Sequence, residues 1–301
     1  MRALGGKADV ATPDFQDVPE PVLADFKKFA DAVSQLAAKS PDLSSDRIAR
    51  AAVGGMIRQS PDCHTYYFDG RGRLDSRPVQ ETGVRDPAPP RGQVIAQPDE
   101  AGLTARILDG GIAYLRWTEF RVTGTYDIRA TVKAVLEKAL AAGAKAWLFD
   151  MRGNVGGNGP EIIASYFLKG EPGMEIFLKN GSAGISSANS AFRLGDEYQL
   201  PIAIVQNDRG GSGPEVFTLF LKENRRATVV GGRSTGCLGA TVATPLSDGS
   251  QISVAVNEFV GAVTRAKYNN VGIPPDIEAN DAVAVEVASN HLRAEIAKGG
   301  S

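Results

Sequence analysis

Apolar residues recur at helical spacing from Pro19 to Ile57: Val22, Phe26, Phe29 and Val33 stand three or four apart, Leu36 continues the stripe, and after a Ser-Pro-Asp turn Ile48, Ala52 and Met56 repeat it. Such a period puts one apolar face on a helix, so residues 1–70 are predicted to form a small helical module. Across residues 71–105 the period disappears. Arg, Asp and Pro dominate there, with Pro87-Ala88-Pro89-Pro90 in the middle, and the stretch reads as a linker or strap. From 106 to 301 strand-like runs alternate with helical ones: a strand from Gly111 to Trp117, a helix from Asp127 to Ala142, a strand from Ala144 to Phe149 and a helix from Pro160 to Leu168. The strand Pro201 to Val205, the helix Pro214 to Lys222 and the strand Ala227 to Val230 continue the pattern. A half-buried strand from Gln251 to Val256 and a closing helix from Asp281 to Ala297 end it. The fold class this predicts is α/β, with ligands held where strand carboxyl ends open into glycine-rich turns.

Charge narrows the partners. Thirty-three Lys and Arg against 35 Asp and Glu leave a net charge of −2 on 301 residues, so no basic surplus exists to attract a phosphate backbone, and nucleic acid is not expected. No apolar run reaches the roughly 18 residues of a membrane span. The first residues lack the apolar stretch of a signal peptide, so the chain reads as soluble; a chain trimmed of its leader, secreted or periplasmic, would read the same. Two cysteines, Cys63 and Cys237, are too few for a disulfide framework or a structural zinc site. His64 and His291 are the two imidazoles available to any mechanism.

Asp208-Arg209-Gly210-Gly211-Ser212-Gly213-Pro214-Glu215 follows an apolar strand and precedes a helix. A serine there stands on a sharp turn beside helix N-terminal amides that can hold an oxyanion. The same residues also suit a plain turn whose serine caps the helix. A second turn, Asp150 to Asn158, offers the backbone N–H groups of Gly156 and Gly157, and acyl transfer needs two converging donors. Phosphate binding is the rival use, but neither Gly-Lys-Ser/Thr nor a spaced Gly-x-Gly-x-x-Gly is present.

Taken in order, Asp150-Met151-Arg152-Gly153-Asn154-Val155-Gly156-Gly157, then Ser212-Gly213-Pro214-Glu215, then Val230-Gly231-Gly232-Arg233-Ser234-Thr235-Gly236, then Gly272-Ile273-Pro274-Pro275-Asp276, resemble the core of the C-terminal processing (tail-specific) serine peptidases. Ser60 to Tyr66, Ser-Pro-Asp-Cys-His-Thr-Tyr, resembles the segment that ends that family's N-terminal helical module. The resemblance implies a crotonase/ClpP-like α/β core, Ser212 as nucleophile, and an oxyanion hole from Gly213 with Gly156 or Gly157. It implies no cofactor and no metal. In the larger branch a lysine in Thr-x-Gly-Lys is the base; here that position is Cys237, and a thiol does not replace a desolvated lysine as proton acceptor. The branch resembling the tricorn core protease uses a histidine from the N-terminal module, which falls on His64, with an assisting serine at Cys63 and a glutamate at Asn269. An amide oxygen at Asn269 can still orient the imidazole, without the negative charge.

Cys63 and Cys237 each fall beside an implied catalytic position. They are accessory candidates, as a redox-sensitive pair or as one activated thiol, against the alternative of small buried hydrophobes. The stretch between His64 and Gly110 is too short for the family's usual PDZ module, which captures carboxyl termini by strand addition. The expected partner is a peptide or another acyl substrate, with a homo-oligomer left open. Two further readings remain: a binding protein on the same scaffold with its catalytic positions replaced, and an esterase-like acyl hydrolase using the same Ser-His pair.

Overall fold

The computed structural model describes residues 44–58, 62–70, 73–75, 88–178, 181–246 and 249–299, with residues 28, 31, 34, 35, 38 and 39. The predicted helical stripe from Val22 to Leu36 and most of the Pro-rich stretch before residue 88 lie outside them. The chain divides into two compact units: residues 1–79 with 243–254, and residues 80–242 with 255–301. Among the described residues no helix is long and apolar enough to cross a membrane.

In the first unit, helix α1 (Ser45–Arg58) precedes strands β1 (Tyr66–Phe68) and β2 (Arg73–Asp75). Ile48, Ala52 and Met56 all lie on this helix and Ile48 is buried, so the second half of the predicted stripe is helical. The chain returns later as β11 (Thr241–Pro245) and β12 (Gln251–Ala255), giving a four-stranded sheet in the order β11-β12-β1-β2. Strand β1 runs antiparallel to β12, with Tyr66 opposite Ser253. The strand predicted at Gln251 therefore exists but pairs with the histidine-bearing segment.

The second unit is built on a seven-stranded sheet of β3 (Gln93–Ala96), β4 (Thr104–Leu108), β5 (Ile112–Arg116), β6 (Ala146–Asp150), β9 (Ile202–Gln206), β10 (Thr228–Gly231) and β14 (Ile277–Glu278), in the order β14-β10-β9-β6-β5-β4-β3. The pairs from β5 through β6, β9 and β10 to β14 are parallel; β3 and β4 add antiparallel. Strands β5, β6 and β9 are buried along their whole length, as expected where both faces of a parallel sheet are covered. Alternation then sorts their side chains. Leu115, Phe149 and Ile204 enter one core with α2 (Ile128–Ala141), α3 (Pro160–Ser165) and α4 (Gly213–Glu223), while Tyr114, Leu148 and Val205 enter another with α5 (Ala284–Gly299). The architecture is mixed α/β. A separate antiparallel sheet, β13 (Asn257–Gly261), β7 (Pro172–Leu178) and β8 (Gly181–Ser187), completes the unit.

Two differences from the sequence-based expectation share one cause, strand pairing that local pattern does not announce. The stretch 71–105 contains β2, β3 and the start of β4, and β7 and β8 pair antiparallel where the sequence suggested no strands. Gly-Ser-Ala-Gly-Ile-Ser-Ser in β8 has little intrinsic strand preference, and its pairing with β7 supplies what propensity lacks. Predicted helix Pro160–Leu168 stops at Ser165 and tightens into bonds from Tyr166 N–H to Ile163 O and Phe167 N–H to Ala164 O.

The carboxyl end of β6 is held by a buried ion pair. Arg152 donates to both Asp150 oxygens, at 2.8 and 2.7 Å, and Tyr114 Oη donates to Asp150 Oδ2 at 2.9 Å. Arg152 also donates to the carbonyl of Asp281. Asp150 is fully buried and Arg152 nearly so. Burial, with Asp150 beside it, holds the Tyr114 phenol far above its ordinary range. Removing the cation would leave a carboxylate buried without a full partner, so Arg152→Ala is expected to cost about 3–5 kcal/mol. The measurement is a urea unfolding curve followed by fluorescence of Trp117 and Trp147, both fully buried in this unit.

Candidate active site

Three turns at the carboxyl ends of β6, β9 and β10 and a fourth at Tyr268–Ile273 are joined by hydrogen bonds and close packing around Ser212. All four turns belong to the second unit.

Ser212 sits at the entrance of α4 with φ 67° and ψ −112°, a left-handed conformation that costs a non-glycine residue about 1–3 kcal/mol. The strain is held by neighbours. Gly211 N–H donates to Asn154 O at 3.2 Å, Thr235 Oγ1 donates to Gly210 O at 2.9 Å, and Ser212 N–H donates to Glu215 Oε2 at 2.9 Å. A sharp strand-to-helix turn of this kind lifts a serine hydroxyl clear of its backbone.

Glu215 does more than receive the serine amide. Its Oε1 accepts from Ser234 Oγ at 2.5 Å and Gly236 N–H at 2.6 Å, and its Oε2 also accepts from Cys237 N–H at 2.7 Å. Burial holds this carboxyl above its ordinary range, and the four donors oppose that rise only in part. Ser234 Oγ accepts in turn from Ile273 N–H at 2.7 Å. Glu215 therefore joins the Ser212 turn to the loop after β10, and the Ser234 hydroxyl carries the link on to the turn at Ile273. Sequence reasoning missed this role. The available signal was the Ser-x-x-Glu spacing at a helix start, which by itself announces only a cap.

The glycine turn after β6 packs against the serine. A Cβ on Gly156 would lie 2.8 Å from Ser212 Cβ, and one on Gly157 would lie 2.3 Å from Phe120 O, so neither position admits a side chain. Gly156 N–H donates to Asn154 Oδ1 at 2.9 Å, and Asn154, fully buried, anchors its amide on Trp117 O. Gly156 thus has its donor engaged. Among the described residues, no protein acceptor meets Gly157 N–H or Gly213 N–H.

Asn269 Oδ1 accepts from Leu238 N–H at 3.1 Å, beside Cys237. In the first unit, His64 follows a tight turn in which Asp62 Oδ1 accepts from His64 N–H at 2.7 Å, and that carboxylate lies 3.7 Å from His64 Nδ1. The His64 carbonyl accepts from Ser253 Oγ at 3.0 Å, which ties it to β12. Sequence reasoning also missed Asp62, although an aspartate able to bond the amide two residues on is an Asx-turn signal.

Both cysteines are disulfide-bonded, which corrects two expectations: neither is a free buried thiol, and neither is an activated nucleophile. The ligand atoms of Asp62, Cys63 and His64 lie within 4.8 Å of one another, but a disulfide sulfur offers a metal no thiolate.

The sequence profile of Peptidase family S41 matches residues 111–279. The chain belongs to peptidase family S41. It is 26% identical over 174 residues to a carboxy-terminal-processing protease of Bartonella bacilliformis, covering 56% of this chain and 39% of the relative. It is 25% identical to the carboxy-terminal processing protease CtpA of Bacillus subtilis, covering 57% and 35%. The match therefore spans less than half the length of these relatives. Among solved structures the chain is similar to the photosystem II D1 C-terminal processing protease, with a TM-score of 0.50 at 22% identity over 64% of this chain and 48% of that one. It is also similar to a lipoprotein from Streptococcus agalactiae, with a TM-score of 0.60 at 15% identity over 90% and 89%.

The four-donor carboxylate makes a specific demand. Glu215→Gln keeps the shape but turns an NH2 group toward N–H donors, leaving one or two of them buried without an acceptor at about 1–3 kcal/mol each. The variant is expected to unfold at lower urea than the wild type by tryptophan fluorescence, and an unchanged midpoint would refute the role.

Proposed function

We propose that this S41 chain is a serine peptidase of the C-terminal processing type, with Ser212 as nucleophile, His64 as general base and Asn269 orienting the imidazole. The observation that carries the reading is the strained Ser212 turn flanked by two N–H groups, Gly213 and Gly157, that meet no protein acceptor among the described residues. Ser212 Oγ bonds to the carbonyl carbon of the substrate and its proton passes to His64. The oxyanion is held by Gly213 and Gly157, with Gly156 spent on Asn154. His64 returns the proton to the leaving amine, then takes one from water as the acyl group is released.

The histidine-using, tricorn-like branch is the better match because Cys237 occupies the position of the other branch's lysine, and a disulfide sulfur accepts no proton. Asn269 brings no charge to the imidazolium, and the Asp62 carboxylate, 3.7 Å from His64 Nδ1, supplies one in its place. A crotonase/ClpP-like core and a helical N-terminal module carrying His64 are part of the same proposal. So is a peptide substrate. The stretch between His64 and the core is too short for a PDZ module, so capture of a carboxyl terminus by strand addition is not part of the proposal.

The test is labelling by a fluorophosphonate with peptide mapping. Wild type is expected to carry one adduct on Ser212, Ser212→Ala none, and His64→Ala to react roughly 10²- to 10⁴-fold more slowly. Cleavage of peptides from their carboxyl end by the wild type, lost in Ser212→Ala, establishes the peptidase. Absence of any adduct under conditions that label a control hydrolase would favour a binding protein instead.

A further inference from the structure

Steric contact requires glycine at both Gly156 and Gly157, and that requirement raises a difficulty. Both residues hold a positive φ, 95° and 124°, and a peptide between two glycines meets little resistance to rotation. An N–H that turns away holds no oxyanion. The direction of Gly157 N–H has to be fixed from outside the two glycines.

Two contacts fix it. Phe120 N–H donates to Gly156 O at 2.7 Å; in a planar trans peptide the following N–H points the opposite way, so Gly157 N–H is turned from Phe120. Asn154 Oδ1 accepts from Gly156 N–H at 2.9 Å, while Asn154 Nδ2 donates to Trp117 O at 2.9 Å. Asn154 is fully buried, so both bonds are shielded from water. Its own carbonyl accepts from Gly211 N–H at 3.2 Å, one residue before Ser212. Asn154 therefore touches both turns that carry the proposed donors, and all of these residues belong to the second unit.

We propose that Asn154 is the positioning residue of the oxyanion hole. By engaging the amides of Gly156 and Gly211 it leaves Gly157 and Gly213 N–H as the pair that meets the oxyanion, and it holds the first of them in direction. The proposal rests on the serine peptidase reading. Asn154 touches no reacting atom, and its effect is confined to the transition state, because preorganised donors count where charge develops. The residue type follows from the two bonds. A planar amide offers one acceptor and one donor together, as the Gly156 amide and the Trp117 carbonyl require; an aspartate keeps the acceptor, and an alanine keeps neither.

The test compares wild type, Asn154→Ala and Asn154→Asp. A peptide boronate, whose adduct with Ser212 carries an oxygen in the oxyanion position, is expected to bind Asn154→Ala roughly 10²- to 10³-fold more weakly than wild type, while the cleaved peptide with its free carboxylate binds both alike. Asn154→Asp is expected to recover roughly tenfold of that loss. Unchanged boronate affinity in Asn154→Ala, or an equal loss for boronate and cleaved peptide, would overturn the proposal. Hydrogen exchange separates its failure from that of the peptidase reading, since it needs no activity. The Gly156 amide is expected to exchange roughly 10- to 100-fold faster in Asn154→Ala while the amides of β6 and β9 stay protected. If the wild type binds no boronate, the peptidase reading fails; an unchanged Gly156 rate, or protection lost across β6 and β9, sinks the positioning role whether or not boronate binds.

Discussion

A buried carboxylate with four donors organises the site. Glu215 lies on the first turn of α4, and every hydrogen bond it accepts comes from a different point on the surrounding loops: the Ser212 amide, the Ser234 hydroxyl and the amides of Gly236 and Cys237. Desolvating a carboxylate is costly, and converging donors are what make it tolerable. The arrangement therefore works in both directions. The loops satisfy the charge, and the charge fixes the loops, which keeps Ser212 in a conformation that a free chain would avoid.

Beneath that network the parallel sheet supplies rigidity. Strands β5, β6 and β9 are buried on both faces, and the aromatic rings of Trp117, Phe120, Phe149 and Phe217 meet edge-on or tilted under the turns, with centroid separations of 5.3 to 6.5 Å. Phe120 links this layer to the chemistry, since its N–H donates to Gly156 O at 2.7 Å and its carbonyl accepts from Asn158 N–H at 2.9 Å. The turn carrying Gly157 is thereby held by a strand-like bridge beside the core. The Asp150–Arg152 pair anchors the start of the same turn.

The legible parts of this protein were those in which local pattern and tertiary environment agree. Ile202 to Val205 is apolar at every position and was bound to be a buried strand, and Pro214 after a glycine-rich turn marked the start of α4. The hairpin of β7 and β8 was not legible, because small residues and glycines carry no strand signal without a partner. Nor was the hydrogen bond from Gly156 N–H, which depends on where the Asn154 side chain points.

The sequence by itself determined the alternation of strands and helices, the two glycine-rich turns at strand ends, and the ordered motifs that identify the family, because each is written in residues close together in the chain. Only the tertiary structure decided that Glu215 is shared by the Ser212 turn and the loop after β10, that Gly156 has its donor engaged, and that both cysteines are oxidised. Those facts depend on side chains and backbone groups meeting at hydrogen-bonding or bonding distance, and a linear pattern does not encode a distance.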